Sequence, residues 1–182
     1  GVFALYFNTT GSYNTANGVN ALYSNSTGIE NSAFGYRALR NNRASYNSAF
    51  GSRSLEHNYL GQGNTALGIG SLLNSESGNN NTAVGNVSGS LILAGSNNIA
   101  IGYNAQVPYD YGDNQVRSGN GAITYAGIQV AWSITSDRRW KENINPSNLG
   151  LGFISKLNPV AYTRINDENQ KIEYGLIAQE LE

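Results

Sequence analysis

The residues best suited to covalent chemistry are a serine and a lysine, Ser136 and Lys141, five positions apart. A neutral lysine amine can take the proton of a serine hydroxyl, provided that burial or a nearby cation lowers the lysine pKa. Arg138 and Arg139 are cations close in sequence, and Trp140 supplies an apolar side chain. On a regular helix, two side chains five residues apart point about 140° away from each other. The pair would therefore meet only across a turn or between subunits. From spacing alone, Ser136 as a helix N-cap and Lys141 as a solvated surface charge remain the alternative interpretation.

Few other residues could support catalysis or ligand binding. The 182 residues contain no Cys and one His, which excludes disulfide frameworks, thiol nucleophiles and multi-histidine metal sites. The net charge of −1 lacks the basic face that nucleic-acid binding requires, and no apolar run reaches membrane-spanning length. We therefore predict no metal, no cofactor, no nucleic-acid partner and no membrane insertion. Because the chain has no Met and begins inside a repeat, we expect a fragment or a processed product.

A short repeat dominates the chain ahead of the serine. With 22 Gly, 27 Asn and 13% charged residues, this composition cannot build a full-sized aliphatic core. A fixed period distinguishes a stacked solenoid from disorder. The pattern N-x-A-x-G recurs with its glycines 17, 16, 17, 17 and 17 residues apart. Its units are Asn14–Gly18, Asn31–Gly35, Asn47–Gly51, Asn64–Gly68, Asn81–Gly85 and Asn98–Gly102.

One repeat of this length suits a single coil of short strands joined by turns. Strand alternation places Asn, Ala and Gly of each unit on one face and the two intervening residues on the other. The small residues allow close backbone approach, and aligned Asn side chains predict amide ladders. The second face carries an apolar column that must be buried somewhere: Phe34, Phe50, Leu67, Val84 and Ile101.

The narrow coil predicts partner chains, and the loss of the leucine column predicts where the arm ends. Buried apolar area contributes only about 25 cal/mol per Å², so a coil that encloses little of it needs neighbours. Gly89 and then Gln106 replace the leucine that follows each unit, so the arm is predicted to span residues 1–107 and to end near Val107. A Ser/Thr column leaves ice binding as a weakly supported alternative: Thr15, Ser32, Ser48, Thr65 and Thr82.

The repeats resemble the head domains of trimeric autotransporter adhesins over about residues 1–107, and they also resemble repeat arms of phage tail fibres. In those heads N-x-A-x-G units form a left-handed parallel β-roll, and three rolls pack into a trimer. The resemblance implies a parallel β-roll in a homotrimer. The unit is longer here than is usual in those heads.

A change in composition marks the region after the arm. Charged residues number 7 in 1–107, 3 in 108–136 and 13 in 137–182. We interpret residues 108–135 as a β-rich neck, with strand-like pieces at Gln115–Arg117, Ala122–Tyr125 and Gly127–Trp132. Residues 136–182 are predicted to begin an α+β domain that this chain leaves incomplete. Its predicted parts are a strand at Leu157–Tyr162, a hairpin tip at Asn166–Gln170 and a segment from Ile172 that becomes helical from about Ala178.

Three sequence blocks in this last region resemble the endosialidase-type intramolecular chaperone. The blocks are Ser136–Ile144, Pro159–Tyr162 and Gly175–Glu180. That family trimerises at the C-terminus of phage tail spikes and fibres, guides folding of the β-structured stalk ahead of it and then cuts itself away.

The resemblance implies a role for individual residues. Ser136 would be the nucleophile and Lys141 the general base, with cleavage at Ser136–Asp137 or at the bond just before it. Arg139 and Asn143 match recurrent motif positions and are interpreted as structural supports. Gln179 and Glu180 match the third block and are interpreted as the start of a docked helix. The only enzymatic activity suggested is this self-cleavage by a serine peptidase dyad.

These features together predict a mainly β protein: a homotrimeric parallel β-solenoid of roughly 17-residue repeats, a β-rich neck and an incomplete α+β domain. We predict a structural and receptor-binding phage tail fibre, located in the virion tail. Its expected partners are two identical chains and a glycan or protein of the host surface. A trimeric adhesin of the bacterial cell surface with the same auto-processing tail is the alternative.

Overall fold

The computed structural model describes residues 1–127, 156–162 and 172–175. Within these ranges all regular structure is β, and none of these residues forms a helix that could cross a membrane. The strands are β1 (Thr15–Asn17), β2 (Ser32–Phe34), β3 (Ser48–Phe50), β4 (Thr65–Leu67), β5 (Thr82–Val84), β6 (Ile99–Ile101), β7 (Val116–Ser118), β8 (Val160–Tyr162) and β9 (Glu173–Gly175). The chain divides into two compact units, Gly1–Ile123 and Thr124–Glu182.

The first unit is a parallel β-solenoid. Strands β1 to β7 form one sheet in chain order, and every neighbouring pair is parallel. In β1 to β6 each strand consists of the three central residues of an N-x-A-x-G unit, so equivalent positions pair directly. The predicted mainly β solenoid fold is therefore confirmed. Each coil lies on the next at the spacing of paired strands, about 4.8 Å.

The core of the solenoid is as narrow as the small repeat implies. The central alanine of β2 to β6 points inward and is fully buried. Opposite it stands a column of leucines, one in each of four successive coils, that are also fully buried: Leu22, Leu39, Leu55 and Leu72. The other large buried side chains are mostly asparagines. Apolar burial and amide hydrogen bonding therefore share the interior.

Glycine at the end of each strand sets how closely the coils approach. At Gly35 the φ angle is 137°, a conformation that L side chains rarely adopt. A Cβ there would collide with the carbonyl oxygen of Gly51 in the next coil. The repeated glycine is required both by the backbone angle and by the coil-to-coil contact.

Asparagines directly before strands β1 to β6 form what we call the strand-start ladder, in which Asn14 is half-buried and the other five are fully buried: Asn14, Asn31, Asn47, Asn64, Asn81 and Asn98. The side-chain oxygen of each one accepts the backbone N–H of the next ladder position at 2.9–3.0 Å. The side-chain nitrogen donates to a carbonyl of the next coil at 2.7–2.9 Å. The predicted amide ladder is confirmed, and it satisfies backbone groups that a buried turn would otherwise leave unpaired.

A second ladder, the turn ladder, runs through Asn8, Asn25, Asn42 and Asn58. From Asn25 onward, each side-chain nitrogen donates to the side-chain oxygen one coil earlier at 2.8–3.1 Å. The ladder ends at Ser75, which holds the same position in the next coil. In the described part of the chain, Asn58 Oδ1 and Ser75 Oγ are buried without a hydrogen-bond partner. Serine is too short to continue the ladder.

The core changes composition where Gly89 replaces the leucine. Ile92, which occupies the turn-ladder position of its coil, is fully buried in the apolar core instead. A Cβ at Gly89 would lie 3.1 Å from Leu72 Cδ2 and 3.3 Å from Ile92 Cδ1. The isoleucine therefore fills the space that the missing leucine would occupy. The loss of leucine at position 89 does not end the solenoid.

The parallel sheet continues beyond residue 107 into the range predicted as the neck. Gln115 takes the next place in the strand-start ladder: its N–H donates to Asn98 Oδ1 at 2.9 Å and its side chain donates to Gly112 O at 2.9 Å. Strand β7 follows and pairs with β6. The predicted strand at Ala122–Tyr125 is instead turn and irregular structure, and the piece predicted at Gly127–Trp132 lies, apart from Gly127, outside the described residues. The boundaries of arm, neck and C-terminal domain as a whole stay predictions.

Within the second unit the structure describes one antiparallel strand pair. Strand β8 pairs with β9 with Ala161 opposite Tyr174. The predicted strands on either side of the hairpin tip are thereby confirmed. The tip at 166–170 and the helix expected from Ala178 lie outside the described residues.

Candidate interaction surface and C-terminal hairpin

The outward face of the solenoid sheet carries two rows of side chains that the coil interior does not use. Residues before the buried alanine form the Ser/Thr row, in register from strand to strand: Thr15, Ser32, Ser48, Thr65 and Thr82. Residues after the alanine form the apolar row: Phe34, Phe50, Leu67, Val84 and Ile101. The two predicted columns therefore lie side by side on one face.

The apolar row is exposed in the single chain. Phe50, Leu67 and Ile101 retain 41%, 50% and 46% of their accessible surface. Phe34 stacks on Phe50 with ring centroids 4.8 Å apart and planes 5° from parallel. The burial expected for this column is not supplied by the coil itself, so any burial must come from elsewhere.

A second set of apolar side chains extends this row on the turn that follows each strand. Val19, Tyr36, Ile69 and Tyr103 come directly after the glycine of their units and are 41%, 44%, 56% and 67% exposed. These turn residues add exposed apolar surface in four of the six N-x-A-x-G units. Surfaces of this kind on a protein that is otherwise polar mark interaction sites.

A charged cluster interrupts the same flank of the solenoid in two adjacent coils. The Glu56 side chain is 3% exposed, and its carboxylate accepts a hydrogen bond from Arg53 Nε at 2.6 Å. Arg37, one coil earlier, approaches the other carboxylate oxygen at 3.5 Å. The hydrogen bond to Glu56, together with its charge, raises the pKa of Arg53 above its usual value. The carboxylate thus links two coils through two cations.

The first coils carry an exposed aromatic cluster on this flank. Tyr6 stacks on Tyr23 at 5.5 Å, and Phe3 and Phe7 meet the same two rings edge to face. The Arg40 guanidinium lies 5.5 Å from the centre of the Tyr23 ring. Aromatic and arginine side chains in contact are typical of protein interfaces.

In the second unit, the β8–β9 pair joins two of the three sequence blocks. Val160 of the Pro159–Tyr162 block lies opposite Gly175, where the Gly175–Glu180 block begins. Two segments that are separated in sequence are thus hydrogen-bonded neighbours.

Comparison with protein families bears on this part of the chain. Residues 136–182 match the family model described as Chaperone of endosialidase. The match covers well under half of the chain and contains all three blocks. Comparisons with curated proteins and with solved structures gave no match.

The predicted catalytic residues lie outside the described residues. This applies to Ser136 and Lys141, and equally to the remaining predicted site positions, Asp137, Arg139, Asn143, Gln179 and Glu180. All fall within the matched range 136–182. Their roles as nucleophile, base, cleavage site and supports stay predictions.

Sequence reasoning missed the charged cluster around Glu56. A signal was available, because Arg37 and Arg53 both stand two residues after the glycine of their units. Equal coil positions in successive coils lie one above the other. Arg37 and Arg53 are therefore expected to stack. Glu56 stands three residues after Arg53, which places its carboxylate within reach of both arginines.

Proposed function

We propose that this chain is part of a homotrimeric phage tail fibre exposed in the virion tail. In this proposal the solenoid is the structural and receptor-binding arm. Residues 136–182 form the first part of an intramolecular chaperone that directs trimerisation and then releases itself by autoproteolysis. The partners are two identical chains and a glycan or protein on the host surface.

The observation that carries the proposal is the order of its parts. A match to the chaperone of endosialidase at 136–182 follows a parallel β-solenoid with an exposed apolar row. Because each coil buries little apolar surface of its own, contact of this row with sister chains would add the burial that the narrow core lacks. Three chains side by side would cover it.

A register problem explains why such an arm would need a chaperone. The strands are only three residues long and nearly alike from coil to coil, so sister chains could associate displaced by one coil at little cost. Contacts between chains also form late because they are non-local. A terminal domain that trimerises first would align the chains. Its removal afterwards would leave the fibre kinetically trapped in its folded state.

The proposed self-cleavage is a serine peptidase reaction. Lys141 in its neutral form takes the hydroxyl proton of Ser136, and the serine oxygen attacks the carbonyl carbon of the peptide bond. The Lys141 ammonium returns the proton to the departing amine, and water then hydrolyses the ester. Backbone N–H groups would stabilise the oxyanion.

The N-x-A-x-G units support one alternative setting. The same repeat builds the heads that the arm resembles, so a trimeric adhesin on the bacterial cell surface with the same auto-processing tail is the second candidate. Both settings share the trimer and the self-cleavage, and they differ in what anchors the other end of the fibre. An ice-binding solenoid has only the Ser/Thr row in its favour.

Processing provides the first test. In the full-length expression product, mass spectrometry should detect a break near residue 136. Ser136→Ala and Lys141→Ala should each leave the product whole, while Ser133→Ala, a nearby serine outside the predicted dyad, should be cut normally. Equal processing of the wild type and both dyad variants would refute the assignment.

Assembly provides the second test. Sedimentation equilibrium of the processed arm should give a mass of three chains. A compact, well-folded monomer at micromolar concentration would contradict the trimer, whatever the processing result.

A further inference from the structure

A polar depression lies on the edge of the solenoid where the chain enters the strands. It has a volume of about 580 Å³ and is lined by Tyr46, Gln62, Gly63, Asn79 and Asn80. This size falls within the roughly 300–1,000 Å³ range of small-molecule sites. These lining residues come from three successive coils.

The depression lies beside Gly63, the one position without a side chain in a column that runs along the coils from Tyr13 to Asn114. The residue just before each strand-start position adopts a left-handed backbone, with φ values of 66° at Tyr46, 68° at Gly63 and 56° at Asn80. Tyr46 and Asn80 therefore lie one coil to either side of a position that has no side chain. The Asn80 side chain covers this position, because its Oδ1 lies 2.5 Å from where a Cβ on Gly63 would be. Tyr46 and the Asn80 amide both line the depression beside it.

The lining offers hydrogen bonds without charge. In residues 1–127 the side-chain amides of Gln62 and Asn80 have no hydrogen-bond partner, and Asn79 uses only its oxygen, which accepts the Gln62 N–H at 2.8 Å. Each free amide presents both donor and acceptor groups. A ligand with many neutral hydroxyl groups can both donate to and accept from such amides, whereas an anion would find no cation among the lining residues.

Tyr46, the aromatic residue that lines the depression, favours one class of neutral ligand over others. Tyr46 is 52% exposed. The face of its ring carries the negative part of the ring quadrupole and attracts the weakly positive C–H groups of a saturated ring. Apolar C–H faces combined with hydroxyl edges are the chemistry of a pyranose sugar.

We infer that this depression binds one pyranose unit of a neutral oligosaccharide, with the sugar ring against Tyr46 and its hydroxyls on the amides of Gln62, Asn79 and Asn80. The inference deepens the proposed attachment role and rests on it, because it names the class of surface molecule that the arm would hold. Tyr46 precedes strand β3 and Phe50 ends it, so the depression lies at the opposite end of the strand from the apolar row.

Saturation-transfer NMR on the full chain tests the site. The probes are maltotriose, cellotriose, mannotriose and triacetylchitotriose, with trigalacturonic acid as the anionic comparison. At least one neutral probe should show transfer that falls fivefold or more in Tyr46→Ala and in Gly63→Asn. The second variant places a side chain where the Asn80 Oδ1 lies and therefore displaces that amide from the depression. It should fold, since Asn80 and Asn97 already occupy this position with the same left-handed backbone. Circular dichroism verifies folding.

A matched control lies in the same column. Tyr13 is 84% exposed two coils before Tyr46, and Tyr13→Ala should leave the transfer unchanged. Absence of transfer to all four neutral probes, or equal transfer in Gly63→Asn, would overturn the inference. Transfer to trigalacturonic acid alone would do the same.

Measurements of assembly separate this inference from the proposed function. If Gly63→Asn and the wild type both sediment as three chains and are processed, while no probe binds, only the sugar site is refuted. If the probes bind to a protein that is monomeric and uncut, the proposed fibre is refuted and the sugar site stands.

Discussion

In this solenoid buried asparagines occupy interior positions that a larger core would fill with hydrophobic residues, and they contribute to stability through hydrogen bonds. Asn64, fully buried, accepts from the Asn81 N–H and donates to the carbonyl of Gly78 in the next coil. Removing such a side chain leaves partners unsatisfied, which costs about 1–3 kcal/mol for each buried group. The interior is therefore specific in residue type even though it is poor in apolar volume.

The interruption of the turn ladder at Ser75 leads to a residue-scale prediction. Ser75→Asn should let a side-chain nitrogen reach Asn58 Oδ1 and a turn carbonyl, as Asn58 itself does with Asn42 Oδ1 and Gly61 O. We expect the free energy of unfolding to rise by about 1 kcal/mol. Urea unfolding of the arm measures it. Ser77→Asn, on an exposed position two residues on, should change nothing, and a destabilised S75N would refute the ladder argument.

The charged cluster supports a second prediction at this scale. Glu56→Gln should lower the free energy of unfolding by about 1–3 kcal/mol, because it removes the acceptor of a charge-assisted hydrogen bond and leaves two arginines side by side. Glu76→Gln, which removes an exposed carboxylate in the next coil, is the control. Equal thermal midpoints for both variants would show that the cluster contributes little to stability.

At the scale of the coil, stability depends on a filled core, and more than one column can supply the residue that fills it. Four coils use leucine after the strand, and the fifth uses Ile92 from a different column. The coil accepts this exchange because the two columns face the same small interior. Close packing of the interior requires that its volume be filled by apolar side chains, and it does not require that they come from one particular position of the repeat.

A double-mutant cycle tests the exchange. Ile92→Ala should cost about 2–4 kcal/mol by leaving a cavity, and Gly89→Leu about 1–3 kcal/mol by overpacking against Leu72 and Ile92. The double variant should be more stable than the sum of the two costs predicts, because the new leucine fills the cavity. Chemical unfolding of the four proteins gives the coupling energy, and additivity would contradict the shared volume.

For the whole molecule, the exposed apolar row is the feature that a single chain leaves unexplained. Its side chains lie on the same face of successive strands, so contacts to a sister chain would repeat at every coil. Many small contacts of this kind add up along the length of the arm, whereas one coil contributes little.

This repetition predicts how substitutions affect assembly. Replacing Phe50 and Leu67 together by Asp should reduce the sedimenting mass from three chains to one, because charges would be placed in the apolar row. Leu60→Asp changes a residue that is 66% exposed in a turn outside the row and should leave the trimer intact. If the double variant remained trimeric, the interface would lie on another face.

The repeat itself accounts for much of what could be predicted. A period near 17 residues predicts that equivalent positions of successive coils lie next to one another. The asparagine ladder, the glycine column and the alanine column all follow from this stacking. The end of the arm was harder to predict, since Gln115 keeps the ladder in a coil without N-x-A-x-G. Its backbone N–H continues the ladder on Asn98 Oδ1, while its longer side chain donates to the Gly112 carbonyl of its own coil, and a search for asparagine does not find it.

The sequence by itself determined the solenoid class, the direction of each side chain in a strand and the position of the chaperone-like blocks. Only the tertiary structure decided which unlike residues compensate for one another: Ile92 for a leucine, and Arg37 and Arg53 for one buried carboxylate. It also revealed the polar depression beside Tyr46. The physical reason is that a period relates each residue to its equivalents, whereas these contacts join different columns across coils, where only the packed backbone sets the distances.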